Sequence, residues 1–287
     1  MATCYRHPGR ETNVSCANCG RPICPNCMTS TSVGMRCPEC AGERTRVRNP
    51  VGAPTRSDAP VTYSVIALCV AAFVGELAGG GTSAVEGGGT LIRDGGLVGF
   101  GLSVDGPIGV AEGEWYRLIT GAFLHAGVLH LGLNMFALYI LGSLLEPALG
   151  SARFAGVYAA SVLAGAFGAL LLDPNEVTVG ASGGVFGLMA AAFLIARNRG
   201  LDQLASQIGF FVVINLVFTF SIPNISVGGH LGGLLGGGLA ALVFSALERR
   251  RLPNTAALEA AAMVAICAVA VAGSLIAAED SVPAGLG

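Results

Sequence analysis

Seven long apolar stretches constrain the fold of this 287-residue chain more than any other feature of its sequence. A helix of about 20 largely apolar residues crosses a bilayer core of ~30 Å, so each stretch is close to the length of one membrane span. Only 12% of the residues are charged and 53% are hydrophobic, which excludes an ordinary soluble domain. We therefore predict an all-α polytopic membrane protein. Its spans are expected at about 61–79, 119–145, 152–172, 178–196, 204–222, 227–247 and 256–277.

The positions of the arginines predict the orientation of the chain. Eight of them precede the first stretch, and six more lie in the connections that follow the second, fourth and sixth stretches. Basic residues favour the cytoplasmic side, so the N-terminus is predicted to be cytoplasmic in a multi-pass protein of the cell (inner or plasma) membrane. The first sixty residues also lack the pattern of a secretory signal. With a net charge of −2, no nucleic-acid partner is expected.

The polar N-terminal region predicts a metal-binding domain. Seven of the nine cysteines and one histidine form four pairs, each with two residues between its members. That spacing lets two side chains converge on one tetrahedral ion, so eight ligands predict two structural zinc sites. A disulfide framework is the alternative, but a reducing cytoplasm and a histidine in one ligand position argue against it. The pairs are Cys4/His7, Cys16/Cys19, Cys24/Cys27 and Cys37/Cys40.

The order of these pairs resembles the B-box-type zinc finger. The resemblance covers about residues 4–40 and implies a cross-braced arrangement, in which pairs one and three share one ion and pairs two and four share the other. A domain this small buries little core, so metal binding is expected to supply most of its folding free energy. We expect it to dock a cytoplasmic protein partner or to serve in regulation. Residues 42–60 are polar and contain three prolines, and they are predicted to form a basic linker against the inner leaflet.

Four polar residues inside the apolar stretches require an explanation, because polar groups are costly in lipid. In the predicted orientation, the second, fourth and sixth spans all begin at the outer face. His130 and Asn134 of "HLGLN" share one face of the second span, while Ser182 and His230 lie near the starts of the fourth and sixth. The glycines in "GASGG" and "GGHLGGLLGGG" allow close helix packing. We therefore predict that the four side chains converge on one outward-facing pocket.

These residue types predict nucleophilic catalysis. A neutral imidazole at His230 can take the proton of Ser182 as its hydroxyl attacks a carbonyl, and can then pass it to the leaving amine. No Asp or Glu lies in the outer halves of the three spans, so a dyad is favoured over a triad. His130, Asn134 and the backbone N–H of Ser182 are expected to stabilise the oxyanion. Alone, each residue also fits a structural role: a packing serine, a structural histidine or an interhelical asparagine.

At these residues the chain resembles the rhomboid intramembrane serine proteases. The markers are "HLGLN", "GASGGVFG" and "GGHLGGLLGG" in that order, with "EWYR" after the first span. The resemblance implies a six-helix core at 61–247, with Ser182 as nucleophile, His230 as base, and His130 with Asn134 at the oxyanion hole. It implies supporting roles for Gly180 and Phe186, the latter stacking on the catalytic histidine where the family often has tyrosine. It also implies that Arg117 bonds carbonyls of the first external loop.

The predicted architecture is thus a zinc finger at 1–41, the linker at 42–60, the rhomboid core, and a segment at 248–287 that adds one C-terminal transmembrane helix. The predicted function is an intramembrane serine endopeptidase that needs no cofactor for catalysis. Its partners would be transmembrane protein substrates, which the resemblance implies enter sideways from the lipid bilayer. Two alternatives are a catalytically inactive relative that binds membrane clients and a transporter. The intact Ser182–His230 pair argues against the first, and the lack of inverted repeats argues against the second.

Overall fold

A computed structural model of the chain describes residues 2–31, 34–42, 59–79, 89–250 and 252–283. The chain divides into two compact units, Met1–Thr55 and Arg56–Gly287. Residues 43–58, which make up most of the predicted linker, lie outside the described residues. The two units are therefore considered separately.

The first unit is built from two small antiparallel sheets and one short helix. Strand β1 (Ala2–Cys4) pairs with β2 (His7–Thr12), β3 (Thr29–Thr31) pairs with β4 (Gly34–Arg36), and α1 (Pro38–Gly42) follows. Its buried apolar side chains are Ile23 and six cysteines. So few apolar groups cannot offset the conformational entropy lost on folding, which is why small domains of this kind depend on metals or disulfides.

The second unit is helical, and six of its described helices are long and apolar enough to cross a membrane. The chain is therefore a multi-pass membrane protein. The six are α2 (Pro60–Ala78), α5 (Val128–Leu149), α6 (Ser151–Leu172), α8 (Asp202–Ser221), α9 (Val227–Arg250) and α10 (Thr255–Glu279). The shorter elements are α3 (Thr90–Gly95), the antiparallel strands β5 (Gly101–Ser103) and β6 (Gly106–Ile108), α4 (Arg117–Thr120) and α7 (Ser182–Asn198).

Two predicted spans have different bounds in the structure. The second was expected at 119–145, but α5 runs from Val128 to Leu149. Residues before it form α4 and a 3-10 turn at Gly121–Phe123, where backbone groups bond to neighbouring segments instead of continuing one helix. The fourth was expected at 178–196, but α7 begins only at Ser182. With 17 residues and a rise of ~1.5 Å per residue, α7 is shorter than a bilayer core is thick.

Helix α9 lies between α6 and α7 with its backbone against both. A methyl group added at Gly233 or Gly237 would overlap the backbone of Gly183 or Gly187 on α7. Small residues permit such close packing in membranes, where van der Waals contact and not water exclusion drives helix association. This packing brings the beginnings of α7 and α9 side by side. The matching contacts with α6 place Gly228, Gly232 and Gly236 against Gly168, Ala164 and Ala160.

The buried carboxylate of Glu146 joins α5 to the start of α2. It accepts hydrogen bonds from the backbone N–H groups of Val61 and Thr62 at 3.0 and 2.9 Å, and from the hydroxyls of Thr62 and Ser151. The first N–H groups of a helix have no intrahelical partner, and a carboxylate there also interacts favourably with the helix dipole. Glu146 therefore caps α2 from a neighbouring helix.

Helix α8 is the least buried of the helices that surround the site described below. Its buried residues are Ala205, Ile208 and Thr219, whereas aromatic side chains such as Phe210, Phe218 and Phe220 are exposed. In a membrane protein, exposed apolar side chains such as Phe210 and Phe220 contact lipid, whereas Phe218 also lines the cavity described below. Thr219, near the end of α8, is a buried polar residue among them.

Candidate active site

The structure brings all four predicted polar residues to one cavity. The cavity measures about 1260 Å³, and its lining includes His130 and Asn134 of α5, Ser182 of α7 and His230 of α9. Each side chain lies within the first two turns of its helix, and the three helices therefore begin close together around the cavity. Among the described residues, no Asp or Glu belongs to this lining.

Ser182 is the first residue of α7, and the backbone before it explains why the helix begins there. Gly180 has a φ of +123°. A right-handed helix excludes this value, and residues other than glycine rarely adopt it. Its N–H donates to the carbonyl of Gly121 at 2.9 Å, and Thr178 pairs with Leu97. The non-helical backbone is therefore satisfied by other protein segments, as it must be at membrane depth. As a first helical residue, Ser182 also has a backbone N–H with no partner within its helix.

The hydrogen bonding of His130 fixes which ring nitrogen carries the proton. The backbone N–H of Ala126 donates to His130 Nδ1 at 3.4 Å, so Nδ1 is the acceptor and a neutral ring has its proton on Nε2. Nε2 lies 2.7 Å from the position that a Cβ on Gly180 would take, and Ser182 Oγ lies 3.7 Å from the same point. Both atoms therefore border the space that a side chain at position 180 would occupy, and any side chain there would displace the His130 ring.

Asn134 is held below His130 on the same helix face. Its side-chain Nδ2 donates one hydrogen to the carbonyl of His130 at 3.0 Å, and the residue is 7% exposed. An amide nitrogen has two hydrogens, so a second N–H remains to serve the cavity. The i, i+4 spacing in "HLGLN" thus produces the expected shared face.

His230 packs flat against Phe186. The two ring centroids are 4.1 Å apart with an angle of 19° between the planes, and Phe186 follows Ser182 by one helical turn on α7. The stacking fixes the plane of the imidazole within the cavity that Ser182 also lines. Among the hydrogen bonds of the described residues, however, none joins Ser182 to His230, although the proton transfer predicted from the sequence requires one. Catalytic hydrogen bonds in proteins without substrate are often long and form fully only when substrate is bound.

Two further contacts close to the site were not predicted from the sequence. His125 is 2% exposed, accepts a hydrogen bond from the backbone N–H of Ala181 at 3.5 Å and bonds the carbonyl of Phe123 through Nδ1. It therefore ties the segment before α7 to the segment before α5. Thr219 Oγ1 lies 2.7 Å from His230 Nδ1. Neither contact has a signal in the sequence, because each depends on how separate segments pack.

Arg117 anchors the segments that frame one side of the cavity. The guanidinium is buried and donates to the carbonyls of Arg93 and Gly96 at 2.9 and 2.8 Å, as predicted for carbonyls of this loop. Its Nε also donates to Glu114, which accepts a bond from the N–H of Gly109. Burial alone would raise the pKa of Glu114, but these bonds, the hydroxyl of Tyr116 and the charge of Arg117 outweigh it and lower the pKa below its usual value.

The first unit contains two groups of side chains that could each hold a metal ion. In each group the candidate ligand atoms lie within 4.8 Å of one another. His7 Nδ1 is 3.4 Å from the sulfurs of Cys24 and Cys27, and Cys19 Sγ is 3.8 Å from Cys37 Sγ. The sulfurs of Cys19 and Cys37 are thus too far apart for a disulfide, which needs about 2.05 Å, and the cysteines of the described residues are free. The groups are Cys4, His7, Cys24 and Cys27, and Cys16, Cys19, Cys37 and Cys40.

Comparison with known proteins identifies relatives of the second unit. The Rhomboid domain model matches residues 112–247. "Rhomboid protease GluP" of Bacillus subtilis (strain 168) is 36% identical over 184 residues, which are 63% of this chain and 34% of that relative. "Putative rhomboid protease YdcA" of the same organism is 38% identical over 148 residues, which are 50% of this chain and 74% of that relative.

A more distant match is "Rhomboid-like protease 1" of Toxoplasma gondii, which is 34% identical over 149 residues. They are 49% of this chain and 50% of that relative. The chain therefore spans about a third of the length of GluP, half of the Toxoplasma protein and three quarters of YdcA. The matched family region contains His130, Asn134, Ser182 and His230, and it ends before α10.

Proposed function

The chain belongs to the rhomboid family, and from that premise we propose that it is a serine endopeptidase that cleaves transmembrane segments of other membrane proteins. Ser182 would be the nucleophile and His230 the general base. The observation that supports this assignment best is the shared cavity, in which the serine hydroxyl, the Phe186-stacked imidazole and the His130 N–H meet from three helices.

The proposed reaction moves one proton between these groups. Ser182 Oγ bonds to the carbonyl carbon of the scissile peptide while its proton passes to His230 Nε2. Collapse of the tetrahedral intermediate breaks the C–N bond, and His230 returns the proton to the leaving amine. Water then adds to the acyl-enzyme with His230 again as base, which releases the second product and restores the Ser182 hydroxyl.

His130, Asn134 and the start of α7 would stabilise the negative charge on the intermediate. His130 Nε2–H, the second N–H of Asn134 and the Ser182 backbone N–H are donors on different elements. Fixed donors of this kind are typically worth ~10²–10³ each in rate. Gly180 supports the arrangement, because the space for the His130 ring exists only where position 180 has no side chain.

The orientation of the arginines supports a cytoplasmic N-terminus and a site that opens to the outer face of the cell membrane. Substrates would reach the cavity from lipid. Because peptide bonds in a helix are shielded, we expect substrates with helix-weakening glycine or proline. The family resemblance further implies a small residue before the cut. An inactive client-binding role is the alternative function, and the following experiment separates the two.

Purified full-length protein is tested for cleavage of a panel of single-span substrates in detergent and in liposomes. Ser182→Ala and His230→Ala should each abolish cleavage without changing thermal stability in detergent. Ser274→Ala is the matched control, since Ser274 is also buried in a span but bonds only the Ala270 carbonyl of its own helix. Full activity in Ser182→Ala would overturn the mechanism. A wild-type protein that binds substrates and cuts none would support the inactive alternative.

For the first unit, two structural zinc ions are the proposed metals. In a tetrahedral site with Zn–S of ~2.3 Å and Zn–N of ~2.0 Å, neighbouring ligand atoms stand about 3.5–3.8 Å apart. The separations around His7 and between Cys19 and Cys37 are close to these values. The proposed fold is the cross-braced B-box type, with a cytoplasmic protein as its partner. Zinc would stabilise the fold and take no part in catalysis.

A further inference from the structure

A buried threonine on α8 contacts the ring nitrogen of His230 that faces away from the proposed reaction. Thr219 Oγ1 lies 2.7 Å from His230 Nδ1, and Thr219 is 2% exposed. In the part of the chain that the structure describes, the lining of the cavity contains no carboxylate that could take this position. In serine proteases with a third catalytic group, that group selects the tautomer of the histidine. The tautomer of His230 therefore depends on whether Thr219 Oγ1 donates to Nδ1 or accepts from it.

A second short contact of the same hydroxyl answers it. Thr219 Oγ1 is also 2.7 Å from the carbonyl oxygen of Asn215, one turn earlier on α8. Two oxygens this close need a hydrogen between them, and only the Thr219 hydroxyl can supply it, because a carbonyl has none. The hydroxyl has one hydrogen, so Thr219 Oγ1 must act as an acceptor toward His230. Nδ1 is then the donor and carries the proton.

We propose that Thr219 is a positioning residue that holds His230 in its Nδ1–H tautomer and so leaves Nε2 unprotonated toward Ser182. This inference rests on the proposed function for its catalytic consequence, although the tautomer itself is a property of the resting protein. The same bond persists when Nε2 accepts the serine proton, because Nδ1–H remains the donor to Thr219 in the imidazolium. The two histidines of the cavity then have opposite tautomers: His130 carries its proton on Nε2 as an oxyanion donor, and His230 carries it on Nδ1 as a base.

The hydrogen bond to Thr219 that orients His230 involves a helix that carries neither member of the dyad. Thr219 lies on α8, Ser182 on α7 and His230 on α9. The turn around Thr219 is otherwise exposed at Phe218 and Phe220, so the bond is a specific polar link between the end of α8 and α9. The tautomer of the base therefore depends on α8 remaining against α9.

The kinetic test compares two substitutions at position 219. Thr219→Val keeps the shape and removes the hydroxyl, and it should lower kcat about tenfold or more with KM little changed, because part of the general-base effect is lost. Thr219→Ser retains the hydroxyl and should recover most of the lost rate. Val217→Ala, at an exposed position on the same helix, is the control and should leave kcat unchanged. If Val and Ser variants at position 219 both match the wild type, the positioning role is wrong.

A spectroscopic measurement tests the tautomer without activity. The full chain has four histidines, and His230 can be assigned in ¹⁵N-histidine-labelled protein by comparison with His230→Asn. We expect a protonated Nδ1 and an unprotonated Nε2 in the wild type and in Thr219→Ser, and a loss of that preference in Thr219→Val. A wild-type His230 protonated on Nε2 would overturn the inference. If the tautomer depends on Thr219 while no substrate is ever cut, the tautomer inference stands and the proposed protease function fails.

Discussion

At the scale of single residues, Gly180 is the position where the backbone and the candidate site constrain each other most directly. Its positive φ ends the extended segment before α7, and its missing side chain leaves room for His130 Nε2. Gly180→Ala should therefore reduce proteolysis of a model substrate by at least about tenfold, because the added methyl displaces an oxyanion donor worth ~10²–10³ in rate. Initial cleavage rates of the purified variant measure the effect.

Gly132→Ala provides the matched control. Gly132 lies within α5 and lines the same cavity, but nothing lies within 4 Å of a Cβ added there. Alanine is also the better helix former, so stability should be unchanged or slightly increased. Equal rates in Gly180→Ala and Gly132→Ala would contradict the role given to Gly180.

The pair formed by Glu114 and Arg117 makes a prediction about pH. The pKa of Glu114 is lowered in the folded protein, so its ionised form contributes stability that is present above the unfolded pKa of about 4.3 and is lost as pH falls through the lower folded pKa. Glu114→Gln should cost roughly 1 kcal/mol near pH 7, a modest figure because the Glu114 side chain is 28% exposed.

Detergent unfolding curves of the wild type and Glu114→Gln between pH 7 and pH 3.5 measure this contribution. The difference between them should be constant near neutrality and should shrink as the pH falls below about 4.3. Glu112→Gln, two residues earlier at an exposed position, should follow the wild type throughout. A difference that grows on acidification would have the wrong sign for a lowered pKa.

At the scale of helices, Glu146 is the clearest case of one element stabilising another. Its two oxygens accept four hydrogen bonds, three of them from the first turn of α2. Glu146→Gln replaces one oxygen with an NH₂ group that faces donors, so unfolding in detergent should become easier by about 1–3 kcal/mol. Glu248→Gln on the exposed end of α9 should change stability little. Equal stability of both variants would show that the cap contributes nothing.

The helices were largely predictable from the sequence, whereas their ends at the site were not. Each of the seven predicted stretches coincides with a helix of the described residues, and six of these helices are long and apolar enough to cross a membrane, because lipid leaves few alternatives to a helix. The predicted starts of α5 and α7 were wrong by nine and four residues. They were placed at 119 and 178, whereas the helices begin at Val128 and Ser182. Both errors lie where the backbone bonds other segments, through Gly121 and Gly180. Apolar composition does not report such partners.

The candidate site was predictable to the extent that its residues lie on single helices. The i, i+4 spacing of His130 and Asn134 and the glycines beside Ser182 have local signals. The contacts of His125 with Ala181 and of Thr219 with His230 join segments that are 56 and 11 residues apart in the chain, and their lengths follow from packing. The sequence therefore indicated four side chains that share one cavity, whereas it did not indicate the contacts of His125 and Thr219.

At the scale of the whole molecule, the two compact units are held together internally by different forces. The membrane unit has a continuous apolar core across several helices, whereas the first unit buries mainly cysteines around Ile23. A helical unit with a continuous apolar core folds without metal, whereas a small cysteine-rich unit depends on bound metal for its fold. Removal of zinc should therefore unfold the first unit and leave the helical unit intact.

Native mass spectrometry of the full chain, expressed with ample zinc, should find two zinc ions per chain. Cys16→Ser should reduce the count to one, because Cys16 belongs to only one of the two ligand groups. Cys69→Ser is the control, since Cys69 lies in α2 outside both groups, and it should retain two ions.

A strong chelator should expose the cysteines of the first unit to thiol labelling. The helical content measured by circular dichroism should fall only slightly, because most of the helix belongs to the membrane unit. If the metal-replete protein contains no zinc, or if the thiols of the first unit are labelled equally with and without chelator, the assignment of the metal sites is wrong. If chelation instead unfolds the helical unit, the two units are not independent in stability.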